Sequence, residues 1–132
     1  MSMTDEEGIR RTLASYCQLC DDGRFDEWAQ LYTDDAVFRV MGQVHTGRDA
    51  IKAFIAQAQP DGRRGKHLAV NPLIEVDGGA ARAWTDYIWV GPGTGQFPVT
   101  SAGRYHDRLV NRDGRWLFAE RQIVFMGEEP QG

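Results

Sequence analysis

A chain of 132 residues and 14.9 kDa, 42% apolar and with a formal charge of −4, is sized and composed for one globular domain. Its 15 basic and 19 acidic residues are mixed along the sequence, without the aromatic-laced basic patch that nucleic acid requires, and no apolar run approaches the roughly 18 residues of a membrane span. Met1 to Glu7 lacks the basic and then apolar layout of a secretory leader, so a cytoplasmic protein with a single domain over residues 1–132 is expected.

Thr4 followed by Glu7 matches a capping box and starts a helix that runs to about Asp21, with Gly23 as its stop. Within it Cys17-Gln18-Leu19-Cys20 spells C-x-x-C. Redox sites of that kind place the motif at a helix N-terminus, where the dipole depresses the thiol pKa. Here it falls near the C-terminal end, where the dipole has the opposite sign. No second ligand pair exists for a structural zinc. Ile9, Leu13, Cys17 and Cys20 instead follow helical spacing as one buried stripe, so core packing is the expected role and no metal is expected.

A short second helix carries Phe25, Trp28, Leu31 and Tyr32 on one face, and Ala36 to Met41 reads as a strand. Gly42 begins a connection to a third helix, about Arg48 to Gln59, which turns Ile51, Phe54, Ile55 and Ala58 inward. Pro60 ends it, and residues 61–65 form a solvated loop. Four long strands are predicted over about 66–76, 80–90, 100–111 and 115–126. Asp77-Gly78-Gly79 and Arg112-Asp113-Gly114 supply the hairpin turns between them. Gly91-Pro92-Gly93-Thr94-Gly95 is a longer loop and a candidate rim. Three helices followed by an antiparallel meander predict an α+β domain, in which a strongly curved sheet wraps the first helix around a conical cavity.

The candidate chemistry lies in Tyr16, Asp21 and His67. A neutral His67 imidazole can remove a C–H proton, Asp21 can accept from its other ring nitrogen and fix the tautomer, and the Tyr16 phenol can donate to a developing oxyanion. Each has an ordinary reading beside this one: a satisfied strand histidine, a solvated helix-end carboxylate and a core tyrosine. Asn71, Trp89 and Tyr105 are candidate cavity-lining, substrate-binding residues. His45 and His106 lack a partner and read as surface residues. Arg121, in a strand among Ile123 and Phe125, suits an anchor for an anionic group or an ion pair at a subunit interface.

The stretches Asp21-Asp22-Gly23-Arg24-Phe25-Asp26-Glu27-Trp28, Leu31-Tyr32-Thr33-Asp34-Asp35-Ala36 and Thr46-Gly47-Arg48-Asp49-Ala50-Ile51 carry a family resemblance. It continues through His67 to Asn71, Gly103-Arg104-Tyr105-His106-Asp107, and Asp113-Gly114-Arg115-Trp116 on to Arg121. Taken in order, these resemble the SnoaL-like branch of the nuclear-transport-factor-2-like (NTF2-like) superfamily, which implies a cone-shaped fold of three N-terminal helices on a curved, mixed, mostly antiparallel sheet. The pattern is most similar to scytalone dehydratases, bile acid 7α-dehydratases and a hexachlorocyclohexane dehydrochlorinase. In those enzymes an aspartate near the end of the first helix pairs with a strand histidine, at the places of Asp21 and His67. Tyr16 fits the tyrosine of the bile acid enzymes, and His67-x-x-x-Asn71 resembles the dehydrochlorinase pattern. Cys20 stands where the scytalone enzymes have a tyrosine, and their second histidine has no counterpart, so scytalone itself is a poor substrate expectation.

The resemblance implies a cofactor-independent lyase of dehydratase type, or an isomerase, acting on a small hydrophobic, cyclic molecule, and a homodimer or homotrimer. The alternative is a non-catalytic ligand-binding or assembly subunit.

Overall fold

A computed structural model describes residues 3–93 and 95–130; Met1, Ser2 and Thr94, parts of the N-terminal and rim segments read above, lie outside the described residues. The order is α1 (Asp5–Asp21), α2 (Phe25–Ala29), β1 (Tyr32–Val40), β2 (Gln43–Thr46), α3 (Arg48–Ala58), β3 (Lys66–Asp77), β4 (Ala80–Val90), β5 (Val99–Arg112) and β6 (Arg115–Phe125). One six-stranded sheet runs β2-β1-β6-β5-β4-β3. Every neighbouring pair is antiparallel except β1 with β6, which is parallel, so the sheet is mixed. The domain is α+β, as expected.

Local chemistry sets the ends of α1. The Thr4 hydroxyl accepts from Glu7 N–H while the Glu7 carboxylate accepts from Thr4 N–H, closing the capping box. At the far end Arg24 N–H reaches Leu19 C=O at 2.9 Å and Gly23 N–H reaches Cys20 C=O at 3.0 Å, with Gly23 at φ 72°. That is a Schellman stop, which only a residue tolerant of positive φ completes readily. Asp21 is thereby fixed as the last helical residue. The Thr12 hydroxyl ties the middle of α1 to Trp116 C=O on β6 at 2.6 Å.

Two boundaries differ from the sequence expectation. Strand β1 begins at Tyr32, so Tyr32 belongs to the sheet rather than to a face of α2, and Phe118 N–H bonds Leu31 C=O at that junction. The connection after Gly42 contains β2, which pairs with β1 through a two-residue turn. Met41 and Gly42 both have positive φ there, 52° and 72°, the geometry of a type I′ turn. Methionine is an unusual occupant of that first position, and it hid the hairpin.

The core fills the space between α1 and the sheet. Ile9, Leu13, Cys17 and Cys20 of α1 are buried as the expected stripe. Around Tyr16 cluster Trp28, Tyr105 and Phe118, with ring centroids 5.4, 5.4 and 6.0 Å away. Burial pushes the phenols of Tyr16, Tyr32 and Tyr105 well above their ordinary pKa. An acid raised in the folded state is stabilising below its unfolded pKa, about 10 for tyrosine, and that stability is lost as the pH rises beyond it. Phenolate absorbance is therefore expected to appear together with loss of near-ultraviolet circular dichroism above about pH 10. Ionisation of these three tyrosines in a protein that is still folded would contradict this.

Candidate functional site

Asp21 and His67 are 46 residues apart in sequence and meet where α1 ends against the start of β3. Asp21 Oδ1 lies 2.6 Å from His67 Nδ1, and Oδ2 accepts the His67 backbone N–H at 2.9 Å. One carboxylate thus grips both the main chain and the ring of the same residue. Their side chains are only 4% and 10% exposed, so solvent screens the pair little. An ionised carboxylate only accepts, so the Nδ1 proton is on the histidine, and a neutral ring keeps its lone pair on Nε2. The unfavourable position of an anion at a helix C-terminus, about 0.3–1 kcal/mol when exposed, is offset by these hydrogen bonds.

His67 borders a cavity of about 270 Å³ between α1 and the β3–β4 edge. Leu13, Ala14 and Cys17 form the helix wall, Ala69 and Pro72 the strand wall, and Thr85 of β4 a third side. Arg10 and Gln18, both exposed, stand at the mouth. Burial pushes the Cys17 thiol up to about 11 and the Cys20 thiol up to about 12, so both remain protonated and neither is an activated nucleophile. Among the described residues no group of three or more His, Cys, Asp or Glu side chains is placed to hold a metal. No described helix is long and apolar enough to cross a membrane.

The other expected site residues fall in different places. Tyr16 is fully enclosed and meets the His67 ring edge-on at 6.3 Å and 88°, without lining the cavity. Trp89 pairs with His67 across the β3–β4 ladder, its ring 6.2 Å away and its indole Nε1 buried without a hydrogen-bond partner among the described residues. Tyr105 is a core residue, stacked on Tyr87 at 4.6 Å and 11°. Asn71 is exposed, at φ 53°, in a bulge of β3. There it adds a weak hydrogen-bond contribution to that of Arg104 in holding the outward-facing Asp86 carboxyl below its ordinary pKa. Neither Tyr105 nor Asn71 borders the His67 cavity.

Arg121 is neither a surface anchor nor an interface residue. Its side chain is 1% exposed and binds Asp107, itself fully buried, by two hydrogen bonds of 2.7 Å. The guanidinium lies over the rings of Tyr105, Tyr16 and Phe118 at 3.7, 4.2 and 4.3 Å. Burial alone would lower its pKa, but the Asp107 charge and hydrogen bonds raise it on balance, so it stays cationic. His45 is half-buried against Phe54 at 4.3 Å. His106 is half-buried in a groove of about 500 Å³ on the opposite face of the sheet, far from Asp21.

The cavity residues that sequence reasoning passed over are Arg10, Ala14, Gln18, Pro72 and Thr85. Thr85 had a readable signal: it is the lone polar residue in the inward phase Ala81, Ala83, Thr85, Tyr87 of β4. Pro72 and Gln18 had none, because the cavity forms only when α1 is laid against the strand edge.

Comparison with curated proteins finds no match. Among solved structures, Rv3472, a protein of unknown function from Mycobacterium tuberculosis, is 30% identical over 89% of this chain and 69% of its own, with a TM-score of 0.83. An NTF2-like protein with a cystatin-like fold from Novosphingobium aromaticivorans is 22% identical, covers 95% of this chain and 84% of its own, and superposes at 0.86. A putative scytalone dehydratase from the same organism is 23% identical, covers 97% and 88%, and superposes at 0.81. The last two establish likeness of fold. The SnoaL-like domain model matches residues 1–122, and with this architecture the chain belongs to the SnoaL-like family of NTF2-like folds.

Proposed function

We propose that this domain is a cofactor-independent proton-transfer enzyme, a dehydratase-type lyase or isomerase, acting on a small hydrophobic, cyclic substrate. The observation that carries the proposal is the 2.6 Å contact between Asp21 Oδ1 and His67 Nδ1 beside the cavity. His67 Nε2 is the base. It takes a proton from carbon, and the C–H electron pair forms the new double bond or enolate. In dehydration the imidazolium returns that proton to the departing hydroxyl and releases water; in isomerisation it returns it to another carbon. Asp21 stabilises the imidazolium between the two transfers. Tyr16, kept un-ionised by burial, is a positioning residue that holds the His67 ring edge-on, and Trp89 backs the same ring. A non-catalytic binding or assembly subunit could use the Asp21 hold on the His67 main chain, but would have no need of the further contact with the ring.

The test is hydrogen exchange at the carbon beside the carbonyl of α-tetralone in deuterated water, followed by proton NMR, together with water loss from cyclic β-hydroxy ketones. Catalysis of either by the wild type and its loss in His67→Ala supports the reading. Equal rates in both proteins refute it.

We also read the chain as a homodimer or homotrimer joined through the outer face of the sheet. Leu68, Val70 and Leu73 of β3 are exposed there in a row, Leu73 by 69%. Light scattering should return a multiple of the 14.9 kDa chain mass, and Leu73→Lys should lower it; a wild-type monomer would contradict this.

A further inference from the structure

The cross-strand partners Leu73, Trp84, His106, Gln122 and Arg39 form one band across the outer face of the sheet, from β3 through β4, β5 and β6 to β1. His106 is the middle member, half-buried beside the groove of about 500 Å³. Leu73, at the margin, also belongs to the exposed apolar row of β3. Ion pairs flank the band: Asp86 with Arg104 at 2.6 Å on one side, and Glu120 with Arg108 at 3.5 Å and Arg39 at 3.6 Å on the other. An acid and a base side by side are complementary to the same pair turned through half a revolution, so this face suits a second copy of the chain.

We infer that His106 is a pH switch for self-association: copies join through this face while the imidazole is neutral and separate when it takes a proton. The inference rests on reading the outer face as the contact between copies. Trp84 of β4 and Gln122 of β6 stand opposite the ring, and Arg104 and Arg108 flank it on β5. Its diagonal neighbours are Arg82 and Asp86 on β4 and Glu120 and Val124 on β6, and Glu128 borders the groove. None of these carboxylates is uncommitted. Asp86 and Glu120 are bound to arginines, and Glu128 accepts the Phe125 N–H at 2.8 Å. Asp107, next in the chain, faces the core and is held by Arg121. Burial, and then Arg104, hold the His106 pKa below its ordinary value against the pull of Asp107. Covering the face strips water from the ring and lowers that pKa further, so association sheds protons. By linkage, the contact is tight above the pKa of the free chain and weakens as the pH falls through it. With one such histidine on each copy, a pair loses up to about a hundredfold in affinity for each pH unit below that value.

The test is the dissociation constant between copies, from light scattering over a dilution series at about pH 8 and about pH 5, with circular dichroism confirming the fold at both. The wild type is expected to associate at least about tenfold more weakly at the lower pH, and His106→Gln, neutral throughout, to change by less than about twofold. Proton NMR of the imidazoles needs no variant at residue 106 and decides the matter even if the glutamine variant does not associate. His45→Gln and His67→Ala identify the other two histidines, and the His106 pKa should be lower in concentrated than in dilute wild type. Equal association at both pH values, an undiminished pH response in His106→Gln, or a His106 pKa independent of concentration would overturn the inference while leaving the assembly reading in place. A wild type that is monomeric at both pH values removes both.

Discussion

His67→Ala is expected to lower carbon-hydrogen exchange and dehydration by about 10²–10⁴-fold, the usual worth of a positioned proton-transfer group. The fold should survive, because the backbone N–H of residue 67 still meets the Asp21 carboxylate. Asp21→Asn makes the sharper comparison. An amide oxygen can still accept from Nδ1, but the charge that steadies the imidazolium is gone, so the rate should fall while ligand affinity holds. The affinity of α-tetralone measured beside the exchange rate checks this division. If both variants keep wild-type exchange rates, Asp21 and His67 are a structural pair at the end of a helix.

Asp107→Ala is expected to destabilise the protein by about 3–5 kcal/mol, because it leaves the Arg121 cation buried without its counter-charge. For a domain of this size that corresponds to a fall in melting temperature of about 10–20 °C. The π-faces of Tyr16, Tyr105 and Phe118 retain some attraction for the guanidinium, which holds the loss toward the lower end. The double variant Asp107→Leu with Arg121→Met removes both charges and should recover most of the loss, since an apolar pair of similar volume often replaces a buried ion pair at no net cost. Thermal unfolding followed by circular dichroism reads both proteins. A single variant that melts within two or three degrees of the wild type would show that solvent reaches the site.

Much of the architecture was legible because its signals are local. The Thr4–Glu7 box, the Gly23 stop and the Asp113-Gly114 turn depend on a few adjacent residues, and each acts in the fold as its chemistry dictates. The β1–β2 hairpin was missed for the same reason inverted: Met41 takes a backbone conformation that its side chain does not advertise. The juxtaposition of Asp21 and His67 was accessible only through family resemblance, since no local rule brings residues that far apart together. Arg121 shows the remaining limit. A strand arginine among apolar residues is ambiguous until its partner is known, and Asp107 lies on the neighbouring strand, opposite it in register. The walls of the cavity were least legible, because a void belongs to the packing of elements and not to any one of them.

The strand order leaves β3 at one margin of the sheet, where an open row of main-chain donors and acceptors invites another extended chain to add itself. In this protein the row is broken at two points. His67 N–H is occupied by Asp21, and five residues later Pro72 has no N–H to offer within a strand already bent by its bulge. The carboxylate proposed to serve chemistry therefore also blunts a margin prone to misassembly, so a variant at Asp21 carries a solubility consequence along with its catalytic one.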